Sequence, residues 1–545
     1  MFDLNACKQK NIRNHSFIIN GIINHTVTTK TRPVDITVLD YKQCFDTLSV
    51  DVVTNDLYNI GVNDDQLNLI YECDSRSNVA VKTPVGLTKR QDILKVVAQG
   101  EVISPLKCTI SVDAIAEAQV ENLADHLYHY KDRVPIPPLG MVDDQISVSN
   151  CGLDSILAIS HLNAQTNLKR LQFGAQKCHK LHIGRNCGIC PEMEIDTWNL
   201  EKSSDNITSA VELVDAEGQK HILEEVITAK YLGDIIQANG KNDKNIQERK
   251  IRGLAASRQI EELLDDLCLG DYHFEAANIL RSSLLLSSLL SNCEAWYHIT
   301  KKEIMELESV DETLLRKIFS AHSKTPIETL YLESGNIPIR FILMSRRLNF
   351  LKYMLNEDED SLLRSFLEAQ LDAPAKGDWV TMVTEDMKEL EISLTMEQIE
   401  AMNKEVFKEM IRTEVQRKAF KYLTKLKDSH SKARNIRHEK LEIQRYLKSE
   451  TKNLTIAEKK FIFAARTRML DLGGNFKSGL VCQKCRKCQM EEETQEHLLE
   501  CVELSDYGLV PECPEYDDLF GAKPTSIGKI LREKFQILKT PCAPC

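Results

Sequence analysis

The chain has 545 residues, of which 42% are hydrophobic and 28% charged, a balance that excludes a wholly disordered protein and predicts about two to four folded domains. Basic residues number 69 and acidic residues 81, and the net charge of −12 argues against a protein that coats nucleic acid with its whole surface. No apolar run reaches the length of a membrane span, and the first residues lack the apolar segment of a secretory signal. We therefore expect an intracellular protein, in the nucleus or cytoplasm, whose 17 cysteines are thiols or metal ligands.

The first 245 residues mix helical and strand patterns. NIRNHSFIINGIIN predicts an amphipathic helix, and DITVLDY alternates apolar and polar residues as a strand does. SVDVVTNDLYNIGV predicts a helix closed by Gly61, and residues 78–112 predict a second strand pair with a turn near Pro84 and Gly86. PPLGMVDDQISV is typical of a hairpin, residues 152–174 of a helix, and KCHKLHIG and YLGDIIQ of strands.

After about Asn245 the pattern changes to long segments with a 3.6-residue period and few prolines or glycines. This half of the chain is predicted to be mainly helical, and residues 506–545, rich in proline and acid, are predicted to form a loosely ordered tail. The predicted helices cover 246–268, 272–292, 301–320, 338–355, 361–371, 396–448 and 455–470.

Carboxylates stand at the ends of two predicted strands. Asp40 closes DITVLD, and Asp143 and Asp144 form the tip of the hairpin MVDDQ. Phosphoryl transfer by two Mg²⁺ (or Mn²⁺) ions needs carboxylates that share ions about 3.5–4 Å apart, and neighbouring strand ends can hold them rigidly. A pair of aspartates alone is more often a solvated turn. The order of the surrounding segments sharpens the prediction, because Phe45 follows Asp40 by five residues and AQGEVISPL precedes MVDDQ.

These segments resemble the motifs of a known family. LDYKQCFDTL, AQGEVISPL and MVDDQ look like motifs A, B and C of reverse transcriptases, with the nearest likeness to animal non-LTR (LINE-type) retrotransposons. KNIRNHSFIINGIIN resembles the motif 2a helix, LQFGAQKCHKLHIG motif D, and YLGDIIQANG the primer-grip hairpin of motif E. NCEAWYHITKKEIMELESVDETLLRKIF and SKTPIETLYLESGNIPIRFILMSRRLNFL look like the helical thumb and the region after it. The likeness covers residues 10 to about 501, and its six motifs stand in the family's order.

The resemblance implies an RNA-directed DNA polymerase that extends a DNA primer or target with dNTPs on an RNA template. Asp40 and Asp143 would hold the metal ions, with Asp144 beside them at the primer end, and the carbonyl of Tyr41 would complete one coordination sphere. The remaining matched residues would contact nucleotide or template. They are Phe45 as a steric gate against a 2′-hydroxyl, Gln99 and Gly100 at the nascent base pair, and Lys177 as a proton donor to pyrophosphate. Simpler interpretations are a core phenylalanine, a turn before a helix and a surface lysine.

The sequence also departs from the family pattern. Met141 and Val142 precede the two aspartates where the family usually has an aromatic residue and alanine. Residue 1 falls inside motif 2a, and the sequence contains neither the fingers motifs with their phosphate-binding Lys and Arg, nor an endonuclease, nor a recognisable RNase H segment. We therefore expect an N-terminally truncated copy. The second hypothesis is an inactive retrotransposon remnant that only binds nucleic acid.

VCQKCRKCQMEEETQEHLLEC contains a candidate zinc site. A CxxC turn followed by His and Cys one helical turn apart predicts four Zn²⁺ ligands in a compact CCHC knuckle: Cys485, Cys488, His497 and Cys501. Cys482 with Cys485 is an alternative first pair. The resemblance favours Cys485 with Cys488 and implies a role in binding template RNA or target DNA, whereas the simpler interpretation is a structural staple.

Two further features remain open. A second cluster, His179, His182, Cys187 and Cys190, has ligand types at usable spacing, but buried thiols and partly exposed histidines explain it more simply. Residues 404–469 carry about 19 Lys and Arg against about 8 Asp and Glu. They predict either a solvated helical face or a groove for template RNA, with Phe420, Tyr422 and Tyr446 as stacking platforms.

The predicted fold class is α+β, with an antiparallel reverse-transcriptase palm sheet backed by helices, then a mainly α-helical thumb and C-terminal region ending in the zinc knuckle. The sequence predicts no oligomeric state. The predicted domains are 1–245 for the palm with partial fingers, 246–375 for the thumb and post-thumb region, 376–475 for a basic helical region, 476–505 for the knuckle and 506–545 for the tail.

Overall fold

The computed structural model divides the chain into two units. The first comprises residues 1–245, 294–299 and 350–385, and the second residues 246–293, 300–349 and 386–545. The five predicted domains stay a prediction. The structure describes residues 11–29, 32–76, 78–92, 103–150, 152–184, 211–215, 217–267, 269–451, 454–475, 483–504, 516–521 and 524–539.

The strands belong to the first unit, and the helices run through both. The strands are β1 (Val34–Asp40), β2 (Asn78–Val79), β3 (Lys82–Thr83), β4 (Gly86–Leu87), β5 (Gln91–Asp92), β6 (Tyr128–Tyr130), β7 (Val134–Ile136), β8 (Leu139–Met141), β9 (Asp144–Asn150), β10 (His179–Ile183), β11 (Glu212–Val214), β12 (Lys220–Ile222), β13 (Glu224–Glu225), β14 (Thr228–Tyr231) and β15 (Asp234–Gln237). The helices are α1 (Ile12–Thr29), α2 (Cys44–Thr47), α3 (Val50–Asn59), α4 (Asp64–Ser75), α5 (Ser104–Asn122), α6 (Leu153–Leu168), α7 (Asp243–Asp266), α8 (His273–Leu280), α9 (Leu286–Leu289), α10 (Lys301–Phe319), α11 (Ile327–Ser334), α12 (Ile339–Leu355), α13 (Leu362–Asp372), α14 (Trp379–Glu389), α15 (Met396–Ala401), α16 (Lys404–Ser429), α17 (Ile456–Arg466), α18 (Gln495–Glu500) and α19 (Thr525–Lys539).

A five-stranded sheet, in the order β13-β10-β1-β9-β8, forms the centre of the first unit. β1 lies between β9 and β10 and is antiparallel to both, and β8 pairs antiparallel with β9. β13 differs from the prediction, because it pairs with β10 in parallel at the edge of the sheet. The strand pattern of DITVLDY and the hairpin pattern of PPLGMVDDQISV are confirmed.

The polar residues of the central strands are buried, which the alternating pattern did not indicate. Asp35 and Thr37 on β1 are at most 1% exposed, and their cross-strand neighbours Ser147 and Ser149 on β9 are at most 2% exposed. Asp35 pairs with His182 through Oδ1 and Nδ1 at 2.7 Å, while Nζ of Lys180 lies 3.2 Å from a carboxylate oxygen of Glu225. Both faces of the sheet are therefore covered, one by an apolar layer and one by a partly polar layer.

The helix predicted from NIRNHSFIINGIIN is present as α1, but it is buried nearly all round. Phe17 makes ring contacts with residues of the first unit that come much later in the chain, including Tyr297, Phe366 and Trp379, at centroid distances of 5.3–5.9 Å. A helix covered on every side has no solvent face, so its polar residues also need partners. Oγ of Ser16 donates to Oδ2 of Asp234 at 2.9 Å.

The second unit is helical in its described residues, as predicted, but the segment 396–448 is not one helix. Asn403 caps α16 by accepting hydrogen bonds from the backbone N–H groups of Glu405 and Val406. After Ser429 the chain leaves the helix, and Nζ of Lys427 donates to the carbonyl of Ile436 at 2.5 Å. Tertiary contacts therefore override the helical period there.

The prediction of a loosely ordered tail is wrong for residues 525–539. They form α19, whose apolar side chains at Ile527, Leu531 and Leu538 are at most 3% exposed. Gly528 lets the helix approach Ile462 of α17, because a Cβ there would lie 2.5 Å from a carbon of that side chain. Across the described stretches, no helix combines the length and hydropathy needed to cross a membrane.

Candidate active site and metal centre

The three predicted catalytic aspartates lie at one end of the central strands. Asp40 ends β1 and Asp144 begins β9, and the register makes them direct partners across the ladder. Directly opposed residues of an antiparallel pair share a face, with Cα atoms about 4.5–5.5 Å apart. Asp143 precedes Asp144 in the two-residue turn between β8 and β9. The fold thus brings together carboxylates from distant parts of the sequence.

Lys177 also lies in this group, and its predicted role toward pyrophosphate stays a prediction. Its Nζ lies 3.2 Å from Oδ2 of Asp40, and its side chain is 73% exposed. The backbone beside Asp40 is held by the same segment, because the N–H of Gly174 donates to the Asp40 carbonyl at 2.8 Å and the N–H of Asp40 points to Sγ of Cys178 at 3.3 Å. Gly174 and Cys178 were missed from the sequence, since neither carries a motif signal of its own.

The aspartates carry negative charge that is only partly compensated. Burial raises the pKa of Asp144, and the charges of Asp143 and Asp40 raise it further, while Lys177 opposes them. Oδ2 of Asp40 is shielded from solvent and accepts no hydrogen bond from the described residues, although Lys177 lies beside it. A divalent cation would neutralise this charge, so these residues fit Mg²⁺ or Mn²⁺.

Within the described ranges, the one group of three or more His, Cys, Asp or Glu side chains that converges closely enough to hold a metal ion is the Cys/His set. The three aspartates are not such a group, so the binding of two ions by them stays a prediction.

Val142, at the hairpin tip, has a left-handed backbone. Its φ of 61° is unusual for a β-branched residue and costs about 1–3 kcal/mol. Two-residue hairpins favour a positive φ at this position because it matches the twist of the strands. The departure from the family pattern therefore falls on a strained residue, and the pairing of β8 with β9 holds Asp143 next to it.

Tyr41 turns its side chain into the core. Its hydroxyl donates to Oε1 of Gln145 at 2.8 Å, and its ring lies 4.7 Å from that of Phe173 between centroids. Burial raises the pKa of Tyr41, so the phenol stays protonated. The predicted metal contact concerns its backbone carbonyl and stays a prediction. The side chain of Phe45 and the whole of Gln99 and Gly100 lie outside what the structure describes.

The four predicted zinc ligands converge. Their potential ligand atoms all lie within 4.8 Å of one another. Sγ of Cys485 is 3.9 Å from Sγ of Cys501, and Sγ of Cys488 is 3.3 Å from Nε2 of His497. Separations of this size surround a tetrahedral Zn²⁺ with bonds of about 2.0–2.3 Å, so these residues fit zinc. The alternative ligand Cys482 lies outside the described residues.

Groups around the Cys/His site orient His497 and favour the thiolate form of Cys488, as metal binding requires. Oε2 of Glu491 lies 3.0 Å from Nδ1 of His497, which leaves Nε2 directed at the thiols. Hydrogen bonds from the backbone N–H groups of Glu491 and Met490 lower the pKa of Cys488 to about 6. Sequence reasoning missed Glu491, because three consecutive glutamates at 491–493 gave no reason to single one out.

The zinc-ligand set is embedded in a hydrophobic core. Cys485 and Cys501 are at most 1% exposed and pack in one cluster with Leu498 of α18 and Leu531 of α19. Nζ of Lys534 donates to the carbonyl of Leu499 at 2.7 Å. This placement suits the structural-staple interpretation.

The two histidines of the second His/Cys cluster, which are its described part, do not converge. His179 and His182 stand three residues apart on β10, so their side chains point to opposite faces of the sheet. His182 is 3% exposed and bound to Asp35. Cys187 and Cys190 lie outside the described residues.

In the basic region, the prediction that Tyr446 is a stacking platform for RNA bases is wrong. This residue is 2% exposed, and its hydroxyl donates to Oε2 of Glu333 at 2.8 Å. Tyr422 is partly exposed, but its hydroxyl accepts a hydrogen bond from Arg340 at 2.7 Å, and that guanidinium lies 4.9 Å from its ring centroid. The side chains of Tyr446 and Tyr422 therefore already contact other groups of the protein.

No protein-family model and no curated protein matches the chain. Among solved structures, apo telomerase from Candida tropicalis is similar at a TM-score of 0.32 and 13% identity, over 73% of this chain and 59% of that one. The same enzyme in complex with a TWJ fragment of telomeric RNA gives a TM-score of 0.32 and 10% identity, over 67% and 55%. Telomerase from Candida albicans in such a complex gives 0.27 and 12%, over 59% and 50%. The chain spans about half the length of these structures, and at such low values the likeness supports no statement on activity.

Proposed function

We propose that the chain is an RNA-directed DNA polymerase, the reverse transcriptase of a non-LTR retrotransposon. The observation that carries the proposal is the pairing of Asp40 with Asp144 across β1 and β9, with Asp143 in the adjoining turn. Lys177 stands 3.2 Å from Asp40. The six sequence motifs that resemble the family supply the same residues in the same order.

In this proposal Asp40 and Asp143 hold two Mg²⁺ ions, with Asp144 beside them and the Tyr41 carbonyl as a further ligand. When bound, the ions lower the pKa of the attacking 3′-hydroxyl and neutralise charge on the leaving pyrophosphate. Lys177 is exposed enough to reach a bound triphosphate and gives its proton to the pyrophosphate oxygen. Phe45 selects the sugar, and Gln99 and Gly100 contact the template base pair.

Primer extension on an RNA template with dNTPs and Mg²⁺ or Mn²⁺ tests the proposal. We expect Asp143→Asn to reduce extension by at least about a hundredfold, because it removes a metal-binding charge and keeps the shape of the side chain. Glu359→Gln is the matched control, since Glu359 is an exposed carboxylate outside the site. Equal extension by both variants would refute the assignment of the site.

The test also decides on the second hypothesis. If the folded, unsubstituted chain binds RNA but extends no primer with either metal, the polymerase proposal fails for this chain. The nucleic-acid-binding remnant then stands.

A further inference from the structure

Two cysteines meet behind the proposed active site. Sγ of Cys44 lies 2.9 Å from Sγ of Cys108, across 64 positions of the sequence. A disulfide has an S–S bond of about 2.05 Å, so the sulfurs need to approach by only about 0.9 Å to bond. Both side chains are at most 2% exposed.

The pair connects two segments that the proposed function uses. Cys44 begins α2, four residues after Asp40, and Cys108 lies one turn into α5, just after AQGEVISPL. Both belong to the hydrophobic cluster that also contains Leu39 and Tyr41. The two sulfurs are thus a direct contact between the chain that follows Asp40 and the helix that follows the predicted template-binding loop.

The two thiols have unequal roles. The hydrogen bond to Cys44, followed by burial, raises the pKa of Cys108, so Cys108 holds its proton. Cys44 is the more exposed of the two residues, at 2% against 0% for Cys108, so it is the one that a small oxidant reaches first. Lys42 and Gln43, which precede it, are exposed.

We infer that Cys44 and Cys108 form an oxidation site that closes to an intramolecular disulfide with a hydroperoxide. The Cys44 sulfur attacks the peroxide oxygen, the O–O bond breaks, and Cys44 becomes a sulfenic acid with release of water. The Cys108 sulfur then displaces hydroxide, which leaves as water with the thiol proton. The sum is two thiols and one hydrogen peroxide giving one disulfide and two waters. This inference does not depend on polymerase activity.

Five of the six other described cysteines provide a contrast. Cys73 is exposed. Sγ of Cys178 accepts a hydrogen bond from the N–H of Asp40. Cys485, Cys488 and Cys501 belong to the zinc-ligand set. The sulfur–sulfur contact between Cys485 and Cys501 is longer, at 3.9 Å.

The test is peptide mapping of the zinc-loaded, full-length protein after mild treatment with hydrogen peroxide. We expect one linked peptide joining Cys44 to Cys108, lighter by about 2 Da than the two thiol peptides together and lost on treatment with dithiothreitol. The linked protein should also have a higher Tm, because a long loop of the unfolded chain is closed. Cys73→Ser, which removes an exposed thiol, should leave the linked peptide unchanged.

The inference is overturned if peroxide oxidises Cys73 while Cys44 and Cys108 stay unlinked, or if the linked peptide forms only in denaturant. Cys44→Ala and Cys108→Ala should each abolish both the linked peptide and the shift in Tm. The mapping of the unsubstituted protein decides the matter even if either variant fails to fold.

Discussion

At the scale of single residues, the proposed active site depends on charge held in a small space. Burial raises the pKa of Asp144, the charges of Asp143 and Asp40 raise it further, and the cation of Lys177 beside Asp40 opposes them. Its long, exposed side chain can leave Asp40 when metal ions bind, since an exposed ion pair is weak. In the proposed function, Lys177 therefore pairs with Asp40 in the metal-free site and contacts the triphosphate during the reaction.

Replacing Lys177 should separate these roles. Lys177→Gln should slow single-nucleotide incorporation by about a hundredfold, because it removes the proton donor, and Lys177→Arg should restore charge without an easily released proton. The measurement is the pre-steady-state rate as a function of pH. Lys89→Gln, at an exposed lysine elsewhere in the first unit, should leave the rate unchanged. A normal rate and pH profile for Lys177→Gln would eliminate the assigned role.

At the scale of elements, buried ion pairs connect the helices of the second unit. Glu333, near the end of α11, is fully buried and contacts Nε of Arg466 at 3.0 Å, Nε2 of His438 at 3.0 Å and the hydroxyl of Tyr446. Burial alone would raise the pKa of Glu333, but the charge of Arg466 and the hydrogen bond of His438 outweigh it, and the pKa falls to about 2. The carboxylate is therefore more stable in the folded protein than in the unfolded chain.

This shift predicts acid sensitivity. Because the folded pKa of about 2 lies below the ordinary value of 4.5, the contribution of Glu333 is complete above pH 4.5 and is lost as the pH falls from 4.5 towards 2. Glu333→Gln should flatten this part of the stability curve and destabilise the second unit by about 3 kcal/mol at neutral pH, since Arg466 stays buried without its partner. Urea unfolding between pH 2 and 7 measures both effects. Glu409→Gln, at an exposed ion pair with Arg412 in the same unit, should change neither, and an unaltered pH dependence for Glu333→Gln would contradict the interpretation.

We expect bound zinc to stabilise the helices α18 and α19 as well as the loop that supplies its ligands. Removing the ion, or changing Cys485 to Ser, should expose the cluster shared by α18 and α19 and speed hydrogen exchange over Thr525–Lys539. Metal analysis should find one zinc per chain in the untreated protein. Cys73→Ser controls for loss of a thiol. Unchanged exchange in α19 after complete zinc removal would show that the core holds without metal.

The sequence predicted local features of these elements better than their surroundings. The hairpin at MVDDQ and the ligand spacing of Cys485, Cys488, His497 and Cys501 depend on neighbouring residues, so they could be predicted. The burial of Asp35 could not, because its partner His182 lies on another strand and alternation normally sends polar residues to solvent. The helix α19 was missed because the prolines and acids around it outweighed its apolar stripe.

At the scale of the whole molecule, the net charge of −12 belongs to the entire chain, whereas residues 404–469 carry a local excess of basic residues. The structure reduces the basic charge that can reach solvent, because Lys427, Lys459 and Arg466 are at most 4% exposed. Lys418 is paired with Glu391. Exposed basic residues remain on α16, at Lys408, Lys421 and Lys425, and after it, at Arg434, Arg437 and Lys440.

The salt dependence of RNA binding can test how many of these exposed lysines contact phosphates. Lys408, Lys421 and Lys425 are exposed on α16, and changing each to Gln should lower the slope of log Kd against log salt by about 1 if it contacts a phosphate. Lys418→Gln, which removes a lysine already paired, should change the slope less. Identical slopes for all four variants would place the RNA-binding surface elsewhere.

The pairing of Asp40 with Asp144 also limits which length changes the gene can accept. Every residue of β9 has a fixed partner on β1, so losing or gaining one residue at the hairpin tip would move the whole strand by one position. Asp144 would then leave the face of Asp40, and the apolar side chains of Ile146 and Val148 would exchange places with buried serines. Codon-sized insertions and deletions between Met141 and Asp144 should therefore be absent from any functional copy, whereas a substitution at Val142 keeps the register.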